Sequence, residues 1–208
     1  MRRFTLGLIA AALCSCQGSD PSDFSAQECM LIHQADSIMR VLTIENSSDN
    51  AILRSSSSNL SAEALRSEVF AELSRLMIAT VTHPSQDGVG IAGPQVGLNR
   101  RVVAVQRLDK PGEPFEVYPN VSIVWMSDSL AYGPEGCLSV PDRRGEVLRS
   151  QEIVIEYTAV PGPHSPSGSE MVTEDDLAQV RDTISGFTAV IFQHEIDHLD
   201  GVLYIDRL

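Results

Sequence analysis

Thr183-Ile184-Ser185-Gly186-Phe187-Thr188-Ala189-Val190-Ile191-Phe192-Gln193-His194-Glu195-Ile196-Asp197-His198-Leu199, closed by Asp200-Gly201, is the stretch on which the fold turns. Phe187, Val190, Ile191 and Ile196 recur at helix-like intervals, and Gly201 supplies a stop. The spacing therefore predicts a long final helix from near Thr183 to Leu199. Val202 to Ile205 then reads as a short closing strand. Inside the helix, His194-Glu195-Ile196-Asp197-His198 has the form H-E-x-x-H. Four residues turn a helix by about 400°, so the two histidines share a face and can hold one ion with Glu195 beside it.

A hydrolytic centre of this kind needs a third protein ligand and one open position for water. Ten residues follow His198, too few for the downstream ligand that many H-E-x-x-H proteases use, so the third ligand is sought upstream. Cys137, His164, His83 and the carboxylates are the candidates. Cys137 stands out within Pro134-Glu135-Gly136-Cys137-Leu138-Ser139-Val140-Pro141, because a glycine before the cysteine permits close backbone approach and Pro141 closes the segment. His83 and His164 flank prolines in loops and read as exposed polar residues.

Further outward, Ser61 to Thr82 reads as a strong helix with Ser61 as cap and Leu65, Val69, Phe70, Leu73, Leu76 and Met77 on one face. Ala26 to Leu42 carries a similar pattern. Glu45 to Asn50 and Ser55 to Ser58 read as loops around Ala51-Ile52-Leu53. Strands are expected at Ile91–Ala92, Arg101–Gln106, Glu116–Tyr118, Val121–Met126, Gly145–Leu148 and Glu152–Thr158. Val160–Ser169 is loop-like, and Thr173–Ala178 suggests a short acidic helical turn. Strands gathered between an early and a late helix indicate an α+β fold, with antiparallel strands packed around the C-terminal helix.

Composition is that of a folding chain, with 43% hydrophobic and 21% charged residues. The net charge of −13 and a pI near 4.7 come from dispersed acidic residues. This argues against nucleic acid, which demands clustered Lys and Arg. Met1-Arg2-Arg3, an apolar run from Phe4 to Leu13 and Cys14-Ser15-Cys16 have the shape of a secretory leader ending in a lipobox. Residues 1–16 are thus expected to be a leader and 17–50 a spacer and first helix, with 51–208 forming the catalytic domain. Processing at Cys16 would tether the protein by lipid to a membrane it does not span, placing it in the cell envelope on the periplasmic side or cell surface; a misread leader would leave it cytoplasmic. Losing Arg2 and Arg3, with no carboxylate lost, would take the charge from −13 to −15. Cys29 reads as a small packed residue.

With these segments in view, the chain resembles the peptide deformylase family. The resemblance rests on three stretches in order: Gly88-Val89-Gly90-Ile91-Ala92-Gly93-Pro94-Gln95-Val96-Gly97, then Glu135 to Pro141, then Gln193 to Gly201. Gly93 departs from the alanine usual there. The resemblance implies Cys137, His194 and His198 as ligands of one divalent ion, Fe²⁺ or Zn²⁺, with Glu195 as general base and then acid. Gln95 and the Leu138 N–H would steady the oxyanion. It further implies substrate contacts at Val89, Gly90, Glu135, Gly136 and Arg144, with Phe187, Val190 and Ile191 receiving a methionine-like side chain. Asp197 would pair with a cation such as Arg149. The substrate would be a formylated peptide and the protein a monomer. Other readings are a metallopeptidase or N-acyl amidohydrolase on the same centre, or an inactive lipoprotein that only binds peptides.

Overall fold

A computed structural model describes residues 23–166 and 177–208. The leader, the spacer through residue 22 and residues 173–176 of the expected acidic turn lie outside them. Eight strands and five α-helices are present in these residues, in α+β order.

The first helix, α1 (Ala26–His33), opens on a capping box in which Ser25 and Glu28 satisfy each other's backbone N–H. It is shorter than the predicted Ala26–Leu42. Beyond it, Met39 N donates to Thr80 Oγ1 at 2.8 Å and Leu42 N to the Gln95 carbonyl at 2.8 Å. Tertiary acceptors thus replace helical ones, while Met39 and Leu42 stay buried. Residues expected as loop form α2 (Ser47–Leu53), because Asn46 Oδ1 accepts from Ser48 N and Asp49 N and so acts as a cap. The single helix expected over Ser61–Thr82 is two, α3 (Ala62–Leu65) and α4 (Glu68–Val81). Ser67 sits in extended backbone between them and caps the second through Phe70 N. Phe24, Cys29, Ile32 and Met39 share one core with α4 and Val102, so the chain before residue 50 packs into the same body as the catalytic segments.

All strand pairings are antiparallel. One sheet has the order β1 (Gly90–Ala92), β2 (Val102–Gln106), β3 (Phe115–Pro119). A second runs β4 (Ser122–Met126), β7 (Glu152–Ala159), β8 (Ala178–Ser185). A hairpin joins β5 (Leu130–Cys137) to β6 (Val140–Ser150). Strand β5 escaped sequence reading because Gly133, Pro134 and Gly136 all argue against a strand; a two-stranded hairpin tolerates them.

The last helix, α5 (Gly186–Leu199), starts later than predicted. Thr183–Ser185 belong to β8, in which Val180, Asp182 and Ile184 are less exposed than their neighbours, a period of two. Gly186, at φ 64°, turns the chain from strand to helix in one residue. The expected closing strand Val202–Ile205 is instead irregular chain and a 3-10 turn, Tyr204–Asp206. Helix α5 touches all three sheets. Its buried Ala189, Phe192, Ile196 and Leu199 share a core with Val103, Tyr118, Ile153 and Ile184. Tyr118 meets both Phe192 and Tyr157 edge to face at 4.9 Å. This core fixes the helix that carries the histidines.

Candidate active site

The chemistry-bearing groups converge where α5, the β5–β6 hairpin and the segment after β1 meet. Cys137, His194 and His198 each present a donor atom, and these atoms lie within 4.8 Å of one another. Cys137 Sγ is 3.2 Å from His198 Nε2. His194 turns its Nδ1 to Glu135 Oε2 at 2.8 Å, which leaves Nε2 for the centre. That carboxylate partner fixes ring orientation, as it does behind metal-bound histidines generally. Glu135 was expected to meet substrate. Its carboxylate is instead committed to His194 and, through both oxygens, to Arg149 at 2.7 and 3.0 Å.

From Arg149 the network continues to Asp197 at 2.6 Å, as the sequence predicted, and Asp197 also accepts from Arg207. Tyr204 stacks on His194 with ring centroids 6.0 Å apart. Neither Arg207 nor Tyr204 was anticipated; both lie less than ten residues beyond the helix, and no motif marks them.

Burial and close partners shift the groups of this cluster in opposite directions. Burial disfavours a charged His194, yet hydrogen bonds to Cys137 and Glu135 outweigh it and push its pKa to about 10. Burial together with His194 pushes His198 below its ordinary range. Burial would raise Glu135, but the bonds from His194 and Arg149 hold it at about 2. Burial lifts Glu195 to about 7. A thiol, two imidazoles sharing one focus and two carboxylates nearby form a donor set that fits a divalent ion.

Glu195 is 4% exposed and its Oε2 has no hydrogen-bond partner. A buried carboxylate oxygen left open beside a ligand cluster is poised for a proton that arrives from outside the protein. Gly90 makes the room: a Cβ there would lie 2.6 Å from Glu195 Oε1 and 2.9 Å from Ile191 Cγ2.

Gln95, 1% exposed, sits in the 3-10 turn Gly93–Val96 after β1. Its Oε1 accepts from Ala92 N at 2.8 Å, which aims Nε2 at Ser139 Oγ, 3.3 Å away, and Cys137 Sγ, 3.5 Å away. Ser139 was also unanticipated; it is fully buried and donates its N–H to Cys137 Sγ at 3.4 Å. Gly93 is explained by the same turn, since a Cβ would meet the Arg100 and Leu98 carbonyls at 2.6 and 2.8 Å. Leu138 and Ser139 make the two-residue turn between β5 and β6, and the Leu138 N–H has no acceptor within the described residues.

A cleft of about 750 Å³ opens on this cluster. Val89, Gly90, Gln95, Glu135, Gly136, Leu138, Arg144, Phe187, Val190 and Ile191 all line it, so the sequence-predicted contact residues share one space. Phe187 stands exposed at the rim and Ile191 is buried at the base. His83 lies outside on the surface, its ring bonded to Ser85 Oγ at 2.7 Å. His164 contributes its carbonyl to Val117 N, away from the cleft.

Known proteins share both the fold and these segments. The family model described as polypeptide deformylase matches residues 38–208. A peptide deformylase of Leptospira biflexa is 36% identical over 166 residues, covering 76% of this chain and 83% of that one. The Met-Ala-Ser-bound crystal structure of class I type b peptide deformylase from Acinetobacter baumannii superposes with a TM-score of 0.65 at 32% identity, covering 82% of this chain and 98% of that one. Peptide deformylase from Thermotoga maritima gives a TM-score of 0.65 at 28% identity over 83% of this chain and 99% of that one. With the match running from before α2 to the last residue and taking in the whole ligand cluster, this chain belongs to the polypeptide deformylase family.

Proposed function

We propose that this chain removes the N-formyl group from N-formylmethionyl peptides. The observation that carries the reading is the open, buried Oε2 of Glu195 beside the Cys137-His194-His198 cluster, with Gln95 Nε2 aimed at the same point. Cys137, His194 and His198 would hold a single divalent ion, which would supply a Lewis acid and bring the acidity of water near neutrality. Glu195 accepts the proton of the attacking water and returns it to the departing amine. Gln95 Nε2 and the Leu138 N–H donate to the formyl oxygen as it gains charge. The backbone at Val89, Gly90 and Gly136 receives the peptide as an added strand, and Phe187, Val190 and Ile191 take the methionine side chain. That the Acinetobacter baumannii relative was solved with Met-Ala-Ser bound supports a peptide substrate.

The test is release of formate from a formylmethionyl peptide by metal-loaded protein beside Glu195→Ala. The variant is expected to lose on the order of 10²–10⁴-fold in kcat. Equal rates would refute the role of Glu195, and cleavage of internal peptide bonds in place of the formyl amide would favour the metallopeptidase reading.

Cys-His-His ligation suits Zn²⁺ and Fe²⁺ alike, and the proposal takes Zn²⁺ because the leader read from Met1 to Cys16 would place the protein where Fe²⁺ oxidises. Elemental analysis of protein purified without added metal checks this, with iron as the main metal counting against it. Fractionation after labelling with radioactive fatty acid checks the lipid anchor at Cys16; an unlabelled protein with its N-terminus intact would sink it. No helix among the described residues is long and apolar enough to cross a membrane.

A further inference from the structure

Arg143 and Arg144 stand apart from the other cations. Every other lysine and arginine among the described residues is engaged with a carboxylate or another partner. These two are exposed at the lip of the cleft and have none. In a chain of net charge −13, acidic partners are abundant, so two adjacent cations without one need an explanation.

Their placement is built into the hairpin. The register runs Glu135↔Gly145 and Gly136↔Arg144, then jumps to Cys137↔Val140. Pro141, Asp142 and Arg143 therefore bulge out of β6, with Asp142 at φ 58°. A bulge beside a site re-aims its side chains. Arg144 lies across Gly136: its Cγ and Cζ are 3.6 and 4.0 Å from the point a Gly136 Cβ would occupy. The guanidinium thus rests on the strand residue next to the Cys137 ligand. Asp142 in the bulge and Asp87 in the loop after α4 also line the cleft, and neither forms an ion pair with the arginines.

Guanidinium groups match a carboxylate in shape and charge, and two together hold it better than one. An extended peptide advances about 3.3 Å per residue, so a group two or three residues past the formylmethionine sits roughly 7–10 Å from the scissile bond. Both arginines line the same cleft as Cys137, His194 and Glu195. Resting on the deformylase reading above, we propose that Arg143 and Arg144 read the terminal carboxylate of short formylated peptides. A growing chain, whose third residue continues as an amide, offers no such group, so the substrate class selected is the free short peptide.

The experiment uses the full metal-loaded chain and compares formyl-Met-Ala-Ser with its C-terminal amide and with formyl-Met-Ala-Glu amide. The acid is expected to exceed its amide about tenfold in kcat/KM at low ionic strength, through KM. That ratio should fall to about one in Arg143→Gln/Arg144→Gln and in about 1 M salt. Taking the ratio within each variant cancels any general loss of activity. Equal rates for acid and amide in the wild type would overturn the proposal, and so would a Glu-bearing amide as fast as the acid, since the pair would then read a side chain. If no formyl peptide turned over, the deformylase reading would fail separately. The affinities of Met-Ala-Ser and its amide, measured by calorimetry, would still decide the carboxylate preference.

Discussion

The floor of the cleft and its lip are built by opposite rules. On the floor most polar groups are buried and answered: Glu135 by His194 and Arg149, Asp197 by Arg149 and Arg207, Gln95 Oε1 by Ala92 N. At the lip, Asp87, Asp142, Arg143 and Arg144 are exposed and unpaired, and two of them, Asp87 and Asp142, sit at positive φ. A preorganised floor needs no reorganisation when charge develops in the reaction. A lip with free charges keeps its hydrogen-bonding capacity for whatever binds. The contrast teaches where substitution should be felt as chemistry, where as stability, and where only as preference.

The sharpest break of the floor is Cys137→Ala, which removes one of three ligands. Metal content after dialysis is expected to fall below stoichiometry and deformylation to disappear; a variant retaining both would show that the cluster does not hold the ion. Next comes Arg149→Met, which removes one charged partner from the buried Glu135 and from the half-buried Asp197 at once. Stability to urea should drop by about 3–5 kcal/mol, and a change under about 1 kcal/mol would mean the network is not the brace described. Gln95→Leu keeps the volume but deletes the Nε2 donor, so kcat should fall by roughly 10²-fold, with a much smaller change in KM. A loss confined to KM would place Gln95 in binding alone. The lip gives the smallest effect: Asp87→Asn should leave stability within about 0.5 kcal/mol of the parent in a denaturant titration. A large destabilisation there would erase the distinction between floor and lip.

Legibility in the sequence tracks the same divide. The ligand triad and the places of Glu195 and Gln95 beside it were readable because each belongs to a motif whose spacing geometry must honour, while the Asp197–Arg149 pair was read from charge alone. The misreadings came where a side chain acts through the backbone. Asn46 is a cap that reads as a loop residue, Ser67 is a cap that reads as helix interior, and Thr80 Oγ1 takes over a backbone donor that a longer α1 would have satisfied internally. Strand β8 was absorbed into the helix because Thr183-Ile184-Ser185 carries too few residues of alternation to outvote the periodicity of α5. The ion pairs of Glu135 went unread because its partners Arg149 and His194 lie 14 and 59 residues away. Local pattern cannot report a pairing that only the hairpin creates.

Gly186 sets a limit on how this chain can change length. It joins β8 to α5 with no intervening loop, and Leu138-Ser139 likewise closes β5 onto β6 in two residues. A single residue inserted after Gly186 would turn the start of the helix by about 100° relative to the sheet, swinging His194 and His198 off the face that meets Cys137 unless the core of α5 tore free to compensate. Insertions and deletions should therefore be tolerated in the loops that rim the cleft and refused at these two joints. In a library of length variants selected for activity, those joints should come back untouched.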